Sequence, residues 1–388
     1  MATPSKIAVF LDPVHFTRQF EILTGILDYA KNKGTITLGP RPLRSLHLDY
    51  SNMDSCSGDG VIGMFYNPED VRSLQKRGMK VVNLTEQLSP MPLPVVVSEN
   101  WHIGRLAAEH LLKRGYRRFE YFGEKHAHFS NQRHEGFVEE LKKSGISAAS
   151  ISRIVIPDRD SISPQWFAEH HCSAKGPVGI FAQDDDIGVS VIIAAQGNGL
   201  RVPQDAAVVG VNDLELICYA SPVSLTSIAP AYLRIGLEAA KLLDELLQGK
   251  VPPDTVIRVA PAGLVERMSS RFLAIEDPLV EKALAYMHAN VNHRYNVNHL
   301  VRHCGKSRRT LELRFQRTVG HSMLEEINRL RVERARQLLS ETDWTISRIA
   351  EECGFGEAKL LIRVFTRLQG QTPKAYRQAC DPVAREKL

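Results

Sequence analysis

Through the first two thirds of the chain, short β-branched apolar runs alternate with longer amphipathic stretches. The runs are IAVFL from Ile7, VIGMF from Val61, VVNL from Val81, VVV from Val95, FEYF from Phe119, RIVI from Arg153, VGIF from Val178 and AVVGV from Ala207. Helical spacing fills 16–33, 69–77, 101–114, 131–143, a stretch after Asp184, and 231–248. Apolar runs of this length fit strands buried on both faces, and their alternation with helices predicts parallel sheets covered on both sides. Such sheets bind ligands in crevices beyond the carboxyl ends of their strands. The strand signals cease at 267–278, and Pro278 suits a first helical turn. The expected organisation is an α/β domain over 6–266 and a linker over 267–277 holding Ser269, Ser270 and Arg271. An all-α domain then occupies 278–380.

Within the helical part the pattern repeats. NVNHLVRHCGKSRRTLELRF at 296–315 and TISRIAEECGFGEAKLLIRVF at 345–365 each give an apolar helix, a glycine, then a second helix ending in Phe. Ala350 and Gly354, four apart, fit a close helix crossing followed by a turn that a Cβ would obstruct; Val301 and Gly305 hold the same places in the first copy. Leu311, Phe315, Leu361 and Phe365 have the spacing of inward anchors. Between the copies, Leu324, Ile327, Leu330, Ala335, Leu338 and Leu339 recur at helical spacing and predict one long connector. Two reading helices entering the major groove from one side must sit about 34 Å apart. The expected DNA site therefore has two contact boxes per chain.

Charge sharpens this reading. The net charge of the 388 residues is +5. Residues 275–388 hold 20 Lys and Arg against 14 Asp and Glu, whereas the rest of the chain is nearly balanced at 29 against 30. A basic end suits a polyanion, although a solvated basic surface has the same composition. No apolar run reaches the roughly 20 residues of a membrane span, and the N-terminus lacks the length of a secretory signal. The six cysteines, at 56, 172, 218, 304, 353 and 380, form no Cys-x-x-Cys pair. Small buried thiols in a reducing cytoplasm are expected, without disulfides.

The string RARQLLSETDWTISRIAEECGFGEAKLLIRVFTRLQGQTPKAYR, with its closing Gly370, Thr372-Pro373 and Tyr376-Arg377, resembles AraC-type transcription regulators over about 278–378. The resemblance implies two helix-turn-helix units on double-stranded operator DNA. It puts Arg308, Arg309 and Glu312 of the first reading helix, and Ala358, Lys359 and Arg363 of the second, at base- or backbone-contacting positions. Arginine matches guanine O6 and N7, and a glutamate accepts from cytosine N4. Arg302, Lys306, Arg308, Arg309, Arg314 and Arg317 surround one acid, Glu312, in the first unit, which is expected to contribute more affinity than the second.

Residues 6–265 resemble the cores of LacI-type regulators and periplasmic sugar-binding proteins, two lobes closing on a ligand. The resemblance is carried by HIGRLAAEHLLKRGYRRFEYFG at 102–123, SNQRHEGF at 130–137, AQDDDIGV at 182–189, and VVGVNDLEL with SLTSI at 208–228. A periplasmic-binding-protein-like domain ahead of an AraC-type end is similar to the layout of bacterial sugar-operon regulators of the xylose type. It implies a cytoplasmic, homodimeric activator that acts on RNA polymerase and answers to xylose or a related pentose or hexose, with no cofactor and no membrane partner. Carried over by position, Arg133, Asp184, Asn212 and Asp213 fall at sugar-binding places, and Asp12 and Phe16 lie at the cleft edge. Carboxylates and guanidinium groups suit adjacent hydroxyls, and an aromatic face suits ring C–H groups. An Asp after a strand is also a common helix N-cap. Ala229-Pro230, where relatives often have a polar side chain, and Asp12-Pro13-Val14-His15 depart from the xylose type, so another sugar stays open.

Other readings weigh less. His299 and His303 beside Cys304, and His170-His171-Cys172, raise a metal site, but helical spacing equally describes a polar surface, and no metal is expected. An alkyl-transferring enzyme needs an activated thiol; Cys304 and Cys353 instead stand where a small residue packs before the turn glycine. A regulator whose front domain only dimerises and binds no ligand is the remaining alternative.

Overall fold

The computed structural model describes residues 4–11, 16–38, 57–88, 91–171, 176–252, 254–271 and 277–380. The chain forms two compact units, Met1–Ala274 and Ile275–Leu388. The strands are β1 (Ser5–Phe10), β2 (Ile36–Leu38), β3 (Gly60–Gly63), β4 (Lys80–Asn83), β5 (Val95–Ser98), β6 (Phe119–Glu124), β7 (Ile151–Ile156), β8 (Val178–Ala182), β9 (Ala206–Val211), β10 (Thr226–Ala229), β11 (Val256–Val259) and β12 (Gly263–Val265).

Among the described residues, all of these strands lie in the first unit, in two sheets. One has the order β11-β5-β4-β3-β1-β2, the other β12-β10-β9-β8-β6-β7. Every neighbouring pair is parallel except β10 with β12. The expectation of parallel sheets is met, and β3, β8 and β9 are buried along their whole length, which is why they read as unbroken apolar runs.

Each lobe is clamped by a pair of helices. In the first, α1 (Phe16–Lys33) packs on α8 (Tyr232–Leu247); in the second, α3 (Asn100–Lys113) packs on α4 (His128–Lys143). Glycines set both crossings. A Cβ on Gly104 would stand 1.9 Å from the Arg133 carbonyl oxygen, and one on Gly136 would stand 1.9 Å from that of Trp101. Gly236 meets Ile22 at 1.9 Å and Gly25 meets Leu233 at 2.0 Å in the same way. The chain passes between lobes three times, from β5 into α3, from β10 into α8, and from β11 to β12.

The segment after β12 does not behave as a linker at its start. Ser269 and Ser270 are fully buried. Ser269 Oγ donates to the Val208 carbonyl at 2.6 Å, and Ser270 Oγ donates to Thr226 Oγ1 at 2.8 Å and lies 2.7 Å from His110 Nε2. Two hydroxyls that satisfy buried partners belong to the second lobe, so the expected linker start at 267 is corrected to beyond Arg271. Residues 272–276 lie outside the described ones.

The second unit is helical: α9 (Pro278–Ala289), α10 (Val297–Cys304), α11 (Arg308–Val319), α12 (Met323–Glu341), α13 (Ile346–Glu352), α14 (Ala358–Gln369) and α15 (Pro373–Cys380). Asn296 and His299 form a capping box at the start of α10, while Ser307, Ser322 and Thr345 cap α11, α12 and α13. Leu311, Phe315, Leu361 and Phe365 are fully buried. Leu324 is an exception to the expected apolar stripe of α12. It is 57% exposed, and the buried positions are Met323, Ile327, Arg331, Val332, Ala335, Leu338 and Leu339.

Candidate functional site

The first candidate site is a cavity of about 300 Å³ in the first unit. Its walls come from the carboxyl ends of strands in both sheets: Met64 after β3, Leu84 to Gln87 after β4, Ser98 in β5, Glu124 in β6, Asp184 after β8 and Asn212 after β9. Helices add Arg18 and Ile22 from α1, Asn100 from α3, Phe129 and Arg133 from α4, and Tyr232 and Ile235 from α8.

Arg133, expected from the sequence, is buried and lines the cavity. Its Nε donates to Asn100 Oδ1 at 3.0 Å, its Nη1 donates to the Gln183 carbonyl, and its Cζ lies 4.9 Å from the centre of the Phe129 ring. Burial holds this guanidinium below its usual range, against the opposing pull of Tyr232, Tyr121 and Asp184, and the neighbouring Arg18 charge adds to the lowering.

Asp184 combines the two roles left open for it. It caps α6 (Asp185–Gly197) by accepting from Ile187 N at 3.1 Å, and it also lines the cavity, paired with Arg159 at 2.8 Å. Asn212 lines the cavity too and accepts from the Tyr232 hydroxyl at 2.7 Å.

Asp213 departs from expectation. Asn212 and Asp213 both have positive φ, 112° and 51°, so the backbone turns left-handed just past β9 and parts the two side chains. Asp213 does not line the cavity and pairs with Arg267 at 2.7 Å. Asp12 lies outside the described residues, as does the side chain of Phe16, whose backbone begins α1.

Sequence reasoning missed Arg18, Asn100, Arg159, Phe129 and Tyr232. Their common signal is a position in the first turn of an α- or 3-10 helix that follows a strand, which no local motif marks. Arg18 Nη2 lies 3.6 Å from Met64 Sδ and its Cζ lies 5.3 Å from the Tyr232 ring centre. Among the cavity carboxylates, Glu86 pairs with Arg258 and approaches His128 at 3.7 Å, while Glu124 lies 4.0 Å from Arg159.

The second candidate site is the outer face of α11 and α14. Arg308, Arg309 and Glu312 are exposed on α11; Lys359 and Arg363 are exposed on α14, with Ala358 half-buried at its start. Arg308 Nε donates to Glu312 at 2.8 Å, so those two present one ion pair. Arg314 is committed elsewhere, with both Nε and Nη2 donating to Asp277, the cap of α9, at 2.5 and 2.6 Å. Each reading helix follows a glycine in the left-handed region, Gly305 at φ 67° and Gly354 at φ 69°. Gly354 is doubly constrained, since a Cβ there would lie 2.5 Å from the His293 carbonyl oxygen.

Arg331 on α12 is buried and donates to the His293 and Tyr295 carbonyls at 3.2 and 3.1 Å. It stacks on the Tyr295 and Phe355 rings, fastening the loop before α10 to the turn of the second reader. The 19 residues of α12 make a strut of about 28 Å. The histidines weighed for a metal have other duties: His299 closes the capping box, His303 packs on Tyr286, His170 stacks on Trp166, and His171 lies 2.8 Å from Glu120. Burial pushes the Cys353 thiol up to about 12 and raises that of Cys304, the opposite of an activated nucleophile.

Comparison with known proteins agrees with this geometry. Residues 108–270 match a periplasmic binding protein-like domain, and residues 300–379 match a helix-turn-helix domain. The xylose operon regulatory protein of Haemophilus influenzae is 29% identical over 346 residues, covering 86% of this chain and 88% of the relative. That of Escherichia coli K12 is 27% identical over 336 residues, covering 84% and 85%. The chain is a DNA-binding transcription regulator homologous to the xylose operon regulators. Its fold matches that of a xylose-binding transcription activator, with a TM-score of 0.69 at 23% identity, covering 97% of this chain and 98% of the other. A LacI-family regulator of Enterococcus faecium solved with ribose shares the first unit's fold, with a TM-score of 0.53, 21% identity and coverage of 70% and 100%. These homologues are transcription regulators and not enzymes. Among the described residues, no helix is long and apolar enough to cross a membrane.

Proposed function

We propose that this regulator senses a monosaccharide in the cleft of its first unit and converts occupancy into a change in operator binding. The observation that carries the reading is the convergence of Arg133, Asp184 and Asn212, from three separate elements, on one cavity of about 300 Å³. That volume sits at the low end for small-molecule sites and suits a single sugar. Asp213 is assigned to holding the Asn212 turn rather than to the ligand. Arg309, Lys359 and Arg363, exposed on the reading helices, are offered to DNA, with the Arg308–Glu312 pair beside them.

The protein acts in the cytoplasm as a homodimer joined through its front domains, residues 6–271, and activates transcription through RNA polymerase. Exposed Leu216 and Tyr219 on α7 (Glu215–Ala220) support pairing of that domain. The homology favours xylose or a related pentose or hexose as effector.

The reading is tested by melting the full chain with a panel of pentoses and hexoses. A ligand at a hundredfold excess over its Kd adds about 2.7 kcal/mol of stability. Operator affinity measured with the same sugars must change, and by linkage DNA must change sugar affinity by the same factor. If no sugar alters melting or operator affinity, the front domain only dimerises.

A further inference from the structure

We propose that the sugar held by this cleft carries an anionic group, a carboxylate or a phosphate, clasped between Arg18 of the first lobe and Arg133 of the second. The inference rests on the sugar-sensing reading and replaces the neutral sugar that the homology favours with an acidic or phosphorylated derivative of a pentose or hexose.

Among the described residues, neither guanidinium forms an ion pair with a carboxylate; Asp184 is near enough to act on Arg133 but is itself paired with Arg159. Arg18 has only the Met64 sulfur and the face of Tyr232, and its buried Nε has no hydrogen-bond partner. Arg133 is met by neutral acceptors, the Asn100 amide oxygen and the Gln183 carbonyl, and by the Phe129 face. The carboxylates that share the cavity are bound to other cations: Glu86 to Arg258, and Asp184 and Glu124 to Arg159.

A buried charge is costly unless a counter-ion and hydrogen bonds accompany it. Here two like charges face the same small space from opposite walls. A neutral sugar offers acceptors to both but compensates neither. An anion compensates both at once, and a carboxylate or phosphate oxygen pair matches the fork of a guanidinium. Because the two arginines belong to different lobes, cleft closure is the step that brings both onto the anion. The lining groups Thr85, Ser98 and Asn212 face the hydroxyls.

The experiment uses titration calorimetry on the full chain with matched probes at low and high salt: D-xylose against D-xylonate, and D-glucose against D-glucuronate and D-glucose 6-phosphate. The expected result is that a charged sugar binds at least about tenfold tighter than its neutral counterpart, the low end for a hydrogen bond to a charged group. Its affinity should fall as salt rises. Arg18→Gln should abolish the preference and Arg18→Lys should keep part of it, each with a melting curve establishing that it is folded. Whether the acids or the phosphate respond identifies the anionic group. A neutral sugar binding as tightly as its charged partners overturns this inference and leaves sugar sensing intact. Loss of neither preference nor affinity in folded Arg18→Gln overturns the assignment to Arg18. Binding of no probe overturns sugar sensing as well.

Discussion

Replacing Gly136 with alanine separates a tight helix crossing from a loose one by the sign of its effect. In a helix with room for a methyl group, glycine to alanine stabilises by about 0.5 to 1 kcal/mol through lost unfolded-state freedom. Here the new Cβ would lie 1.9 Å from the Trp101 carbonyl oxygen and 2.8 Å from its carbon, whereas ordinary contact begins at 3.4 Å. The helices must part by about 1.5 Å, the difference between 3.4 and 1.9 Å. No side-chain rotamer relieves a clash with main chain, so the cost belongs with overpacking, about 1 to 3 kcal/mol. An overlap with main-chain atoms belongs in the upper half of that range, about 2 to 3 kcal/mol, so the expected net is a loss of about 1 to 2.5 kcal/mol, or roughly 2 to 10 °C in melting temperature for a domain of this size. Arg133 sits one turn earlier on the same helix and moves with it, so effector affinity falls together with stability. The assay is thermal melting of the full chain with and without effector. Melting of Gly136→Ala at or above the unsubstituted protein would falsify the claim that this crossing is closed to a methyl group.

Four further outcomes are expected. Arg309→Ala weakens operator binding and flattens the log-log salt dependence by about 0.9, the value for one phosphate contact, while Arg314→Ala leaves that slope unchanged because its charge is spent on Asp277; fluorescence anisotropy across a salt series measures both. Asp277→Ala removes the cap of α9 and the partner of Arg314 together, and lowers the second unit's stability by about 1 to 2 kcal/mol in denaturant titration. Burial raises the Asp185 carboxyl to about 7, far above the unfolded range, so the folded state binds this proton more tightly. The associated stability is fully present below about pH 4 and is lost as pH rises through about 7, and Asp185→Asn flattens that decline in a pH series of melts. Leu216→Glu shifts the protein from dimer to monomer in sedimentation velocity while leaving its circular dichroism unchanged.

Much of the architecture is legible in the sequence, because buried parallel strands leave unbroken apolar runs and the paired readers leave a duplicated string. The inward anchors Leu311, Phe315, Leu361 and Phe365 follow from spacing alone. Leu324 misled because it heads α12, where apolar periodicity no longer reports which face has a neighbour to pack against.

The cleft was half legible. Arg133, Asp184 and Asn212 sit beside strand ends that local motifs mark. Arg18, Asn100 and Tyr232 come from helices far apart in the chain, and only the crossings bring them together. Asp213 departs from its expected place because strand alternation says nothing about two successive residues with positive φ. The sequence places the linker start too early because serines have the composition of a solvated spacer, whereas here their hydroxyls are paired inside the second lobe.

The glycine crossings bear on how the first unit could signal. Arg18 rides on α1, pinned to α8, and Arg133 rides on α4, pinned to α3, while α8 and α3 are the helices that the chain enters as it passes between lobes. Each arginine is thus a tooth fixed to its own jaw, with no slack between tooth and pivot. Grip and posture become a single coordinate, and whatever spans the two teeth sets the angle of the jaws.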